Sequence, residues 1–420
     1  MRVKLSISRV FSHLISGTLI LSCQSLLSKI TGDNTMTLLC IIIVSLGIFL
    51  KLSSKIVFES VVYLAFLLLY LISVIALVVF GDFKYTYFIV IHIILVTLIY
   101  LWLFMGNVEQ NVMELIRALK NIMIIIAACS LFFYLFGTVL GLFSPSKIFT
   151  AEEIGWSNYN YKVYWYIYNE GQYTDIFGYR LIRNIGIFTE APMYVYLLIL
   201  ALYAEMFLYN TSVKNELILI GAIITSLSST GFIFLVIFLF IKYRNYIRNN
   251  KFLRIVTIPL ILIVAVGGVA YIAYDKLMTG NISGIIRIDD LKANIMSFLA
   301  HPFIGNGYMN SRAMDRFRTG MRAIVKWQNK LAGNSSGLGG ILSNGGLLFA
   351  WFYLLPLFLS IGNIRKNALS EETIRWNGLV IVEFVLLINT VLYIVSVGPA
   401  MNVICVAITL AFNKNMKGEG

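Results

Sequence analysis

Charge is scarce in this chain. Of 420 residues, 13% are Asp, Glu, Lys or Arg against 59% hydrophobic, a balance far from that of a soluble domain. No part of the sequence reads as an independent soluble domain. Cysteine is sparse too: Cys23, Cys40, Cys129 and Cys405 all fall in apolar runs, with neither metal-ligand spacing nor an exposed pair, which argues against zinc and redox chemistry. No internal repeat relates the two halves, and that weighs against a repeat-built secondary transporter.

Apolar runs are abundant instead. They recur at residues 11–30, 37–50, 56–80, 87–105, 121–143, 191–209, 217–241, 255–274, 338–361, 376–394 and 398–412. Most can span a hydrocarbon core of about 30 Å, whereas 37–50 and 398–412 need flanking residues to do so. The first run follows Arg2, Lys4 and Arg9 and reads as an anchor continuing into a second span rather than a cleaved signal peptide. The expected fold is all-α: one polytopic membrane domain over residues 1–420, with about 12 transmembrane helices.

Short loops rich in Lys and Arg stay on the cytoplasmic side, which groups Arg2/Lys4/Arg9, Lys51/Lys55, Arg117/Lys120, Arg365/Lys366/Arg375 and Lys414/Lys417 together. The basic stretch Lys242–Arg248 joins them only if residues 217–241 cross an even number of times. The polar break Ser226-Leu227-Ser228-Ser229-Thr230-Gly231 is where that run can fold back, as two short helices or a re-entrant hairpin; the alternative is one ordinary helix whose serines bond its own carbonyls. Two long external loops result, residues 144–190 and 275–337.

The first loop is dense in aromatics, among them Trp156, Tyr159, Tyr161, Tyr164, Trp165, Tyr166, Tyr168 and Tyr173. Such rings suit both the membrane-water interface and the stacking of sugar faces. The loop ends at Arg183-Asn184-Ile185-Gly186-Ile187-Phe188-Thr189-Glu190-Ala191-Pro192, where Thr189 or Glu190 caps a helix that Pro192 begins. Glu190 thus sits at the outer boundary, near Arg183 and Arg180.

In the second loop, Arg312, Arg316, Arg318, Arg322, Lys326 and Lys330 share one face when residues 312–331 are wound as a helix. The spacing predicts an amphipathic basic helix lying on the surface, suited to anionic headgroups or to clamping a phosphate by paired hydrogen bonds. Before it, His301-Pro302-Phe303-Ile304-Gly305-Asn306-Gly307 allows a tight turn; after it, Asn334-Ser335-Ser336-Gly337 leads into the next span.

Taken in order, these segments resemble the O-antigen polymerase and O-antigen ligase superfamily. Gly186–Pro192 is similar to the family's Gly-x-Phe-x-Glu-Pro opening of a span, with one inserted residue. Leu227–Gly231 is similar to its Ser-rich turn, His301–Gly307 to its His-Pro-x-x-Gly-x-Gly segment, and Asn334–Leu347 to the opening of the following span. The likeness covers about residues 184–350. Ligases carry a His where this chain has Asn334 or Ser335, which favours a polymerase.

The resemblance implies a glycosyltransferase with a GT-C-like architecture that joins polysaccharide repeat units at the outer face of a bacterial plasma membrane. Donor and acceptor would be oligosaccharides on polyprenyl diphosphate, with membrane lipid, a chain-length regulator and a flippase as partners and no cofactor. Glu190 or His301 would be the base. Arg183, Arg312, Arg316, Arg318 and Arg322 would hold the diphosphate, and Arg180, Trp165, Gly305, Gly307 and Asn334 the substrate. A ligase, or a flippase or other transporter of the lipid-linked unit, is the alternative. For a transporter the chain offers only Glu383, Asn389 and His92 within its spans, and Glu383 reads as a buried, hydrogen-bonded carboxyl facing the bundle.

Overall fold

The structure is a computed structural model that describes residues 7–32, 34–51, 61–81, 86–154, 160–176, 179–210, 212–249, 282–308, 310–318, 334–366, 370–391 and 395–413. It is mostly helical. Fifteen helices, numbered α1 to α15, are described: α1 Ile7–Ser22, α2 Leu26–Thr31, α3 Thr35–Leu50, α4 Val61–Val79, α5 Thr86–Phe104, α6 Val108–Phe133, α7 Ala151–Ile154, α8 Ala191–Tyr203, α9 Val213–Thr225, α10 Ser229–Asn249, α11 Ile282–Ala300, α12 Ser311–Asp315, α13 Gly337–Lys366, α14 Glu371–Asn389 and α15 Val397–Ala411. Helices α6 and α8 run on as π-helical turns at Tyr134–Val139 and Ala204–Tyr209.

Three helices among the described residues are long and apolar enough to cross a membrane: Val108–Val139, Ala191–Tyr209 and Gly337–Lys366. Shorter apolar helices accompany them, including Thr35–Leu50 and Val397–Ala411. This is compatible with a membrane protein. Side-chain caps set several starts: Asn107 accepts from the Gln110 amide before α6, Ser212 from Lys214 before α9, and Ser370 from Thr373 before α14.

Helix α8 is apolar all round and accordingly buried all round, packed against α6, α9, α10 and α14. Between apolar helices, polar side chains reach across to neighbouring carbonyls. Ser16 of α1 donates to Leu115 of α6 at 3.0 Å, and Asn402 of α15 to Phe352 of α13 at 2.9 Å. In a lipid setting such bonds are worth about 0.6 kcal/mol each on average.

The chain ends of the helices define two ends of the bundle. At one, the basic end, Lys51 closes α3, bonds Asn111 near the start of α6 at 2.8 Å and lies over the Trp102 ring near the end of α5. At the other, the loop end, α6 runs out into residues 140–190 and α8 begins.

Helices α9 and α10 are the fate of the apolar run 217–241. Leu227, in the left-handed region at φ 50°, ends α9 and turns the chain, and α10 starts at Ser229. In one continuous helix Glu216 and Lys242 would stand about 39 Å apart. They form an ion pair instead, so the two helices lie antiparallel.

Not everything is helical. Residues 147–182 hold five short strands in two antiparallel sheets: β1 Lys147–Phe149, β2 Tyr161–Tyr164 and β3 Tyr168–Glu170 in one, β4 Tyr173–Ile176 and β5 Tyr179–Ile182 in the other. This corrects the all-α expectation. The aromatic and β-branched residues Tyr161 and Val163 are buried while Lys162 between them is exposed, the period-2 pattern of a half-buried strand.

Candidate functional site

The loop end gathers the residues singled out from sequence into two groups. In the first, the segment Arg183–Glu190 is stitched to three helices. Asn184 is fully buried; its amide donates to the Thr225 carbonyl and its side chain to Ser130 Oγ and Thr225 Oγ1. Arg183 Nε donates to the Ser226 carbonyl at 2.9 Å, fastening the guanidinium to the α9–α10 turn. Thr189 donates through both its amide and its hydroxyl to the Gln24 carbonyl at the α1–α2 break, and Tyr161 donates to the Thr189 carbonyl.

Glu190 is the N-cap residue of α8, half-buried, with Ala191 opening the helix and Pro192 next. Neither Thr189 nor Glu190 caps by its side chain, contrary to the sequence reading. The Ala191 amide donates to Gln172 Oε1 at 3.0 Å, so the cap comes from the link between β3 and β4. The Glu190 carboxylate takes no part in capping.

Around them, Arg180 lies exposed on β5, its guanidinium 4.4 Å from the centre of the Tyr173 ring. Trp165 sits at the β2–β3 hairpin tip, 55% exposed, with its amide held by Ser146 Oγ. Lys162 and the buried Glu170 form an ion pair at 2.8 Å, and that hydrogen bond raises the lysine above its ordinary value. Burial pushes the Tyr168 phenol up.

The second group surrounds a break in α13. Gly346 has φ 60° and ψ −157°, far from helical, so the helix loses its ladder there. The loop 301–308 replaces the missing bonds. Asn306 and Gly307 amides donate to the Ser343 and Asn344 carbonyls, while Leu347 and Leu348 amides donate to Pro302 and Phe303. Asn306 adds side-chain bonds to Ser297 and Ser343. Gly305, at φ 78°, leaves no room for a Cβ, which would overlap the Asn344 carbonyl. Gly307 packs as tightly against Phe80. Both glycines therefore face protein backbone. His301, at the end of α11, is exposed.

The basic helix expected over 312–331 is helical across Ser311–Asp315 and turns at Arg316 and Phe317; residues 319–333, with Arg322, lie outside the described residues. Of Arg312 only the helical backbone is described. Arg318 folds back into the protein, 9% exposed, to Asp315 at 3.0 Å and Asp290 of α11 at 3.4 Å. Asp290 also accepts from the Ser335 amide, and Asn334 exchanges two side-chain hydrogen bonds with Asn294. Arg316 is exposed, stacked on the Phe317 ring at 4.6 Å.

Sequence reasoning missed Gln172, Asp290 and Asp315. The signal for Asp290 was present: Asp289-Asp290 is an acidic pair, flanked by Arg287 and Lys292, in a helix of mixed polarity. The fold and these groups define a helical bundle, compatible with a membrane protein, with two polar clusters at its loop end. No model of a known protein family matches the chain, and no curated protein matches its sequence.

Proposed function

We propose that this chain is a glycosyltransferase of a bacterial plasma membrane with about twelve passes, which polymerises polysaccharide repeat units carried on polyprenyl diphosphate. Its basic end faces the cytoplasm and its loop end the outside. The acceptor hydroxyl attacks the anomeric carbon of the donor sugar, the bond to the carrier diphosphate breaks, and the hydroxyl proton passes to a base.

The observation that carries this reading is the state of Glu190. It stands at the loop-end terminus of the central helix, is not used as a cap, and shares a short segment with Arg183, whose guanidinium the α9–α10 turn fixes. The positive end of the α8 dipole lies beside that carboxylate. Arg183, Arg180 and the exposed Arg316 supply charge for the leaving diphosphate, for which Arg offers a two-pronged donor. Arg318 already faces two carboxylates, so it supports the loop rather than the diphosphate. His301, exposed beside the clasp, is the second candidate base.

The lipid-linked glycan of a deletion strain tests the assignment. Single repeat units accumulating on the outer leaflet are expected. Single units trapped on the inner leaflet would identify a flippase and overturn the polymerase reading.

A further inference from the structure

The interior of the bundle holds a second polar feature, apart from the loop-end arginines. Glu383 lies within α14 at 2% exposure, and its Oε1 has no hydrogen-bond partner, where a satisfied buried carboxyl was expected. Tyr196 of α8 is 1% exposed and its hydroxyl is likewise without a partner that meets hydrogen-bond geometry. The two groups are neighbours, with the thiols of Cys405 on α15 and Cys23 at the end of α1 bordering the same spot.

Among the described residues, Glu383 takes part in none of the ion pairs. On α14 itself Glu371, Glu372 and Arg375 lie toward the basic end, as do Arg365 and Lys366 of α13. Glu205, on the π-helical turn that continues α8, is paired with Lys120. An ionised carboxylate here would be buried without a counter-charge, at a cost of several kcal/mol. A protonated one is neutral, and its proton can be shared with the phenol oxygen.

We infer that Glu383 and Tyr196 form a proton-binding site inside the bundle, with the carboxyl as the group that takes up and releases the proton and the phenol as its hydrogen-bond partner. The ligand of this site is the proton. Tyr196 is six residues along α8 from Glu190, about 9 Å of helix rise, so proton occupancy is reported to the helix that carries the candidate base. The inference stands independently of glycosyl transfer, because it requires only that the bundle be folded.

Infrared difference spectroscopy of the purified full-length protein in lipid, wild type minus Glu383→Gln, tests it. The amide is a neutral, isosteric stand-in, so the variant should accumulate at wild-type abundance. The difference spectrum should show a protonated-carboxyl stretch at neutral pH that moves in deuterium oxide and fades as pH rises. Tyr196→Phe removes a donor to the carboxylate, so the band should persist to a pH about one unit higher, the equivalent of one hydrogen bond. Three results overturn the proposal: failure of Glu383→Gln to accumulate, as for a carboxylate held ionised in a structural pair; no protonated-carboxyl band; or a band unmoved by deuterium oxide and by pH.

Discussion

Gln172 caps the helix that Glu190 precedes. Its Oε1 accepts the Ala191 amide at 3.0 Å, so the side-chain cap of α8 comes from Gln172 and not from the glutamate. Position and chemistry can therefore be separated at α8. Glu190→Gln should reach the membrane at wild-type abundance and lose polymer formation by about 100- to 10,000-fold, the usual range for removal of a general base. Gln172→Ala should do the reverse, costing about 1 kcal/mol of stability while keeping activity per folded molecule. Polymer formed per unit of inserted protein decides, and near-normal specific activity in Glu190→Gln removes it from the mechanism.

Arg316 and Arg318 are two residues apart and should fail in different ways. Arg318→Ala leaves Asp290 buried without its cation, a loss of about 3–5 kcal/mol that should appear as reduced abundance. Arg316→Ala touches an exposed side chain, so abundance should hold while binding of lipid-linked donor weakens. Lys at 316 should not restore binding, because an ammonium cannot reproduce the planar fork. Pull-down with a polyprenyl diphosphate probe, alongside quantitative blotting, separates these outcomes.

Sidedness can be read with single cysteines in a cysteine-free background. Tyr179→Cys, at a position 74% exposed on β5, should label with an impermeant maleimide in intact cells. Asn249→Cys, at the far end of α10, should label only after permeabilisation. Efficient labelling at 249 in intact cells would put the Glu216–Lys242 end of the α9–α10 pair outside and overturn its cytoplasmic assignment.

Much of this arrangement was legible in sequence, but unevenly. The fold-back between α9 and α10 followed from charge: Lys242–Arg248 had to rejoin the other basic loops, and the serines around Leu227 marked the only polar break in the run. The boundary at Glu190 was visible because Pro192 favours a first helical turn. The β2–β3 hairpin was not, since Trp165 and Tyr166 occupy its tip at φ 49° and 60°, where Gly or Asn would have signalled a turn. The place of Arg318 was hidden for a different reason. Helical winding placed Arg318 on a common face with Arg312 and Arg316, but its partner Asp290 is 28 residues away in sequence, and a long-range ion pair leaves no trace in local periodicity.

Glycine at 346 should be irreplaceable. Ala there adds a Cβ against Phe303 at about the backbone contact distance of 2.6 Å and forbids the positive φ, so Gly346→Ala should cut inserted protein sharply. Gly362→Ala, where nothing lies within 4 Å of the added Cβ, is the matched control and should be silent. Equal abundance of the two variants would show that the break in α13 is not needed.

The clasp over that break also bears on how the chain enters a membrane. Residues 301–308 leave the ribosome before residues 343–348, yet each set holds the hydrogen-bonding groups that the other lacks. Until they meet, the Ser343 and Asn344 carbonyls cannot enter hydrocarbon without forfeiting partners. Helix α13 alone would carry those carbonyls into a bilayer unpartnered. In a bilayer its backbone would be satisfied only together with the preceding loop and the α4 end on which Tyr308 rests, so the three segments would have to settle as one unit.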